Sequence, residues 1–321
     1  MSIDNLDPEL RSYLDAVLEL LPGYEAERLG ELRSGLRAVI DTTPLVRPGT
    51  VHVEDVTVPG PSGHPDVAMR VYRPTTTTDL VPGLYWMHGG GMMIGSMDMD
   101  DTLLVGAVEK LGIAIVSVEY RLAPEHPDPA PIEDCYAGLA WTAAHASDYG
   151  IDGNRIAVGG PSAGGGLAAG TALLARDRGG PQLAYQLLLE PMLDDRSLTP
   201  SSTQYDGGTV WDRKDNAQGW SSLLGDRVGG DSVSPYAAPA RATDLSGLPP
   251  TFIDVGEVET FRDECIEYAR RLFAAGVPTE LHVYPGAFHG FDLMAPDSAI
   301  ARVAWNLRWT AVARALTPTT S

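Results

Sequence analysis

The chain opens with apolar residues at helical spacing. In "DPELRSYLDAVLELLPG", Leu10, Leu14, Val17, Leu18 and Leu21 fall on one face, and Pro22-Gly23 ends the pattern. A second helical stretch runs to about Ile40. After "TTPLVRPG" the period drops to two. "VHVEDVTV" and "VAMRVYRP" alternate as strands, and the turn-rich "PGPSGHPD" between them predicts an antiparallel pair. Six further runs are apolar throughout: "GLYWMH", "IAIVSVE", "RIAVGG", "YQLLLE", "TFIDVG" and "ELHVYP". Such runs suit strands covered on both faces of a mostly parallel sheet. Helical patterns at Thr102 to Leu111, Ile132 to Ala146, Gly165 to Arg176 and Arg262 to Ala275 separate most of them. Eight strands with interleaved helices predict one α/β domain built on an open, doubly wound sheet.

One segment breaks the alternation. From about Arg196 to Ser234 the chain is polar and turn-rich, with a short helical patch around Asn216 to Leu224. It reads as an insertion over the carboxyl edge of the sheet, where open α/β sheets bind ligands.

Composition narrows the partners. The chain has 321 residues, with 43 acidic against 23 basic ones and a formal net charge of -20. Nucleic acid and anionic membrane surfaces need concentrated positive charge, so neither is an expected partner. Cys135 and Cys265 lack metal-ligand spacing and are expected to be reduced thiols of a cytoplasmic protein. The N-terminus carries no basic and apolar leader pattern, and no apolar run approaches the length that spans a bilayer. A homodimer is compatible with the sequence, which holds no signal for oligomeric state.

Chemistry concentrates in three places. "GPSAG", Gly160 to Gly164, is G-x-S-x-G between a strand and a helix, the context in which its serine is thrust up on a strained turn. The pentapeptide alone is a weak signal, and the flanking elements give it weight. An overlapping match to a dinucleotide fingerprint, Gly164-x-Gly166-x-x-Ala169, starts too far past the strand and lacks the acidic residue such loops use. "MHGGGMMIG", Met87 to Gly95, follows another strand. Its glycines can bend over the reacting centre and offer N–H groups to an oxyanion, so Gly90 and Gly91 are expected donors together with Ala163. His88 is expected to brace this loop. The base is expected to be His289 in "PGAFHGFD", at the end of the last strand. The order Ser, acid, His calls for a carboxylate between them, and Glu259 in "EVETFRDE" is the choice, with Glu257 and Asp254 in reserve. Asp263 and Glu264 read as first-turn helix residues. Gly89, Met92 and Met93, with Met97 nearby, are candidates for a substrate pocket, since methionine adapts to varied ligands; core packing explains them equally well.

These residues resemble the bacterial hormone-sensitive-lipase-like esterases. The resemblance rests on "HGGG" at His88, "VEYRLAPE" from Val118, "GPSAGGG" around Ser162, "SPYAAP", "DLSGLPPT", "ETFRDE" and "FHGF", in order. It implies an α/β-hydrolase fold: an eight-stranded, mostly parallel sheet flanked by helices. It also implies a helical cap, which fits residues 1–45 and 196–234 over a core of 46–195 and 235–321. The implied activity is hydrolysis of small, mostly short-acyl carboxylic esters by a Ser–acid–His triad, with no cofactor or metal. The chain departs from the family pattern at Pro161, where Asp or Glu is usual, at Glu259, where Asp is usual, and at Met92, where an aromatic is common. Two rival uses of the arrangement stand beside this one: the same triad acting on lactones or amides, and a non-catalytic ligand receptor on the same fold.

Overall fold

The computed structural model describes residues 3–20, 23–43, 45 and 48–317. Strands β1 (Val51–Val58), β2 (Val67–Pro74), β3 (Val81–Met87), β4 (Ala114–Glu119), β5 (Ile151–Pro161), β6 (Tyr185–Leu189), β7 (Thr251–Val258) and β8 (Thr279–Phe288) make one sheet, in the order β1-β2-β4-β3-β5-β6-β7-β8. β2 runs antiparallel to both of its neighbours, and every other pairing is parallel. The expected antiparallel pair and parallel remainder are both present.

Among the described residues ten α-helices accompany the sheet: α1 (Arg11–Leu20), α2 (Leu29–Thr42), α3 (Asp101–Leu111), α4 (Ala130–Ala144), α5 (Ala163–Asp177), α6 (Pro200–Gln204), α7 (Arg213–Leu224), α8 (Arg262–Ala274), α9 (Phe291–Met294) and α10 (Ala299–Leu316). Successive strand residues point to opposite faces, and here each face has its own core. Tyr85, Met87, Val116, Val118 and Leu188 pack with residues of α4, α5 and α8. Leu84, Trp86, Ile115, Leu187 and Leu189 pack with α3 and α10. Both faces are dry, so the strands read as continuous apolar runs.

The N-terminal helices lie where the strands end. Leu10 and Leu14 pack among Tyr284, Phe288 and Phe291, while Leu18 is exposed. The expected face position Leu21 and the stop at Pro22 lie outside the described residues. Arg33 of α2 donates to the carbonyls of Met93 and Ala123 and pairs with Glu125, so α2 rests on the glycine-rich loop.

α10 has no counterpart in the predicted elements. Its Arg308 is buried and donates to Asp254 of β7 at 2.6 and 3.1 Å, and to Asp292 of α9. Tyr284 of β8 adds a hydroxyl to Asp254. Removing the cation would strand two buried carboxylates. Arg308→Ala should therefore lower unfolding stability by about 3–5 kcal/mol. Urea titration checks this, and a loss below about 1 kcal/mol would contradict a structural role for the cluster.

Candidate active site

At the end of β5 the chain turns straight into α5. A Cβ added at Gly160 or Gly164 would lie 2.2 or 2.0 Å from the carbonyl oxygen of Met87. Strand and helix can approach this closely only because both positions are glycine. Between them Ser162 is held at φ 56°, ψ -122°, a backbone conformation that L-residues rarely adopt. Its N–H donates to Leu189 O, and its carbonyl accepts from Gly166 and Met192. Met92 (φ 64°) and Glu190 (φ 39°) share this rare region. These three lie beyond the ends of β3, β5 and β6, and Ser197 (φ 50°), in the insertion, is the fourth such non-glycine residue among those described.

The side chains converge there. With His289 Nδ1–H donating to Glu259 Oε2 at 2.5 Å, Nε2 accepts from the Ser162 hydroxyl at 3.0 Å. Ser162 and His289 are 9% and 7% exposed, and Glu259 is fully buried. Burial is the largest influence on the Glu259 carboxyl and raises its pKa; the imidazole and the Gly256 N–H, 3.0 Å from Oε1, pull against it. The two reserve acids are engaged elsewhere, Asp254 with Arg308 and Glu257 with the N–H of Gly286.

The glycine-rich loop lies beside the serine. Gly89 sits against the elbow, where an added Cβ would lie 3.7 Å from Ser162 Cβ. Gly90 and Gly91 both have positive φ, and among the described residues neither N–H has a protein acceptor. Ala163 opens α5, where a helix leaves its N–H groups unpaired and carries the positive end of its dipole. The side chain of Trp211, from the insertion, closes over this loop: an added Cβ at Gly91 would lie 2.3 Å from the indole. Trp211 continues to Phe261, whose ring meets His289 edge-on at 5.1 Å.

Met92 and Met93 need a correction. Both are fully buried in the core, so their side chains present no surface to a ligand. Asp263 and Glu264 lie in the first turn of α8 as expected, and Glu264 Oε1 in addition accepts from Leu193 and Asp194 N–H, tying α8 to the chain after β6. Glu190 had no place in the expected site. It is buried, with Oε2 3.5 Å from His289 Nδ1. Its position at the end of an apolar strand was the one available signal. Among the described residues, Glu190, Glu259 and His289 are the group whose donor atoms lie close enough to share an ion, within 4.8 Å of one another. Their hydrogen bonds to one another and to Gly256 and Gly290 already engage those atoms.

The family model described as alpha/beta hydrolase fold matches residues 84–293, from β3 to α9. The chain belongs to that family. Among its relatives, the carboxylesterase NlhH of Mycobacterium tuberculosis (strain ATCC 25618 / H37Rv) is 38% identical over 303 residues, covering 92% of this chain and 93% of its own. Ethyl acetate hydrolase of Pseudomonas putida is 30% identical over 306 residues, covering 90% and 93%. A solved bacterial heroin esterase is 44% identical, with a TM-score of 0.92 over 99% of this chain and 100% of that one. Within the alpha/beta hydrolases, these likenesses place the chain in the hormone-sensitive-lipase-like group that its motifs resemble.

His88 is buried beside the glycine-rich loop. Its ring stacks on Tyr120 at 4.2 Å, and Nδ1 lies 2.8 Å from Gly89 O. Among the described residues Nε2 is buried without a partner, and burial pushes the pKa from 6.5 down to about 4. The unfolded chain therefore binds the proton first, and stability is lost as pH falls from 6.5 toward 4. Unfolding free energies of wild type and His88→Asn, measured across this range, should differ in their pH dependence by about 3 kcal/mol. Parallel curves would contradict a neutral bracing histidine.

Proposed function

We propose that the protein hydrolyses small, short-acyl carboxylic esters through a serine acyl-enzyme. That it is a carboxylic ester hydrolase follows from its family and esterase relatives. The route is our reading of the site, carried by one observation: a hydrogen-bonded line from Ser162 through His289 to Glu259. Ser162 Oγ attacks the ester carbonyl as His289 Nε2 takes its proton. The oxyanion accepts N–H groups from Gly90, Gly91 and Ala163. His289 then protonates the departing alcohol, and water repeats the sequence on the acyl-enzyme. Glu259 holds the imidazole tautomer and stabilises its cationic form. The mechanism asks for no metal or cofactor.

Residues 1–45 and 196–234 are proposed as a cap over a core of 46–195 and 235–321. The cap reading is supported by α2 resting on the glycine loop and by Trp211 lying against Gly91. Trp211 also supports the short-acyl preference, because an indole at this place leaves little room beyond the oxyanion donors. The cytoplasmic reading is supported by Cys135 and Cys265, which are both free and buried. The excess of acidic residues supports a protein without nucleic-acid or membrane partners.

Ser162→Ala should lower kcat by about 10⁴ or more with the fold intact. Steady-state rates on p-nitrophenyl acetate check this, and retained activity would remove Ser162 from the reaction. Trp211→Ala should raise the octanoate-to-acetate ratio of kcat/KM by at least about tenfold. An unchanged ratio would remove Trp211 from acyl selection. In a panel of esters, lactones and anilides, esters should be turned over fastest. A lactone or anilide preference would favour the rival readings.

A further inference from the structure

Glu190 stands where no expected role reaches it. It follows β6 with φ 39°, its N–H donating to Asp254 O at 2.7 Å. Its Oε2 accepts from the N–H of Gly290, the residue after His289, at 2.9 Å. The same oxygen lies 3.5 Å from His289 Nδ1, the nitrogen that already donates to Glu259. One imidazole N–H thus faces two buried carboxyl groups, one 2.5 Å away and the other an ångström further out. An exposed carboxylate would not be remarkable here. A fully buried one, on strained backbone and fastened to the histidine's own turn, calls for an explanation.

We infer that Glu190 is a second carboxyl partner of His289: a positioning residue that holds the histidine turn through Gly290 and stands ready to accept Nδ1–H if Glu259 is lost. The inference rests on the proposed Ser162–His289–Glu259 reading. Glu190 is faced by Glu259 and His289, by Asp292 of α9, and by Arg308 of α10 with its partner Asp254. Burial, then Asp292 and Glu259, push the Glu190 carboxyl well above the usual range. Glu259, an ångström nearer, is the partner that takes the Nδ1–H in the intact site. Deleting the Glu259 carboxyl group leaves Glu190 as the acid nearest Nδ1, 3.5 Å away.

A double-mutant cycle on the full chain tests this, with p-nitrophenyl acetate as substrate and thermal melts to establish folding. Glu190→Gln keeps an oxygen for Gly290 N–H, so in the cycle it isolates the loss of the carboxyl group from the loss of the turn's hydrogen bond. A triad that loses its only acid loses about 10⁴ in kcat. Glu259→Ala should lose only about 10², and adding Glu190→Gln should bring the loss to about 10⁴, with KM little changed. A low-field imidazole N–H proton resonance should survive in Glu259→Ala and vanish in the double variant. If the double variant does not fold, the rate and proton spectrum of Glu259→Ala decide alone. Equal rates for Glu259→Ala and the double variant would overturn the inference, as would a Glu259→Ala protein without that resonance. An active Ser162→Ala would instead overturn the triad reading, so the two failures are distinguishable.

Discussion

A serine can be thrust up on a sharp turn at the end of a buried strand only where strand and following helix come closer than two Cβ atoms permit. That constraint organises this molecule. Gly160 and Gly164 both press on the carbonyl of Met87, and Ser162 takes the sharp, positive-φ turn left between them. A residue held in such backbone costs about 1–3 kcal/mol. The neighbouring hydrogen bonds, from Ser162 to Leu189 and from Gly166 and Met192 back to Ser162, hold it in place. The same turn starts α5, so the hydroxyl and the unpaired helix N–H groups face one place without further machinery.

The remaining parts reach that place from distant points of the chain. Glu259 and His289 come from the ends of β7 and β8, whose alignment is backed by Arg308 between Asp254 and Asp292. The N-terminal segment reaches the same region: Asp7 donates its N–H to Gly286, and Leu10 packs among Tyr284 and Phe288. The insertion brings Trp211 onto Gly91. The region around Ser162 and His289 is thus closed by segments that lie outside the sheet.

Much of this was legible in residue order, because it rests on local signals. Strands covered on both faces are apolar throughout, and the elbow needs glycine at fixed spacing. The glycine loop, Ser162 and His289 lie at strand ends, and Glu259 follows β7, so reading the strands places them. What escaped depends on tertiary contact. α10 is studded with alanine and arginine, and its one decisive residue, Arg308, is buried by partners 54 and 16 positions away. Glu190 ends an apolar strand and gives no sign that the chain a hundred residues on places Gly290 beside it. Met92 and Met93 suit a pocket and a core equally by composition, and only packing assigned them to the core.

The central claim is geometric: one hydroxyl, one imidazole and a set of main-chain donors meet around a single reacting carbon. A crystal structure of the protein after reaction with an alkyl phosphonate ester tests it most directly. The account predicts phosphorus bonded to Ser162 Oγ, with the phosphoryl oxygen about 2.7–3.1 Å from the N–H nitrogens of Gly90, Gly91 and Ala163. An adduct on another residue, or a phosphoryl oxygen turned away from those donors, would contradict it.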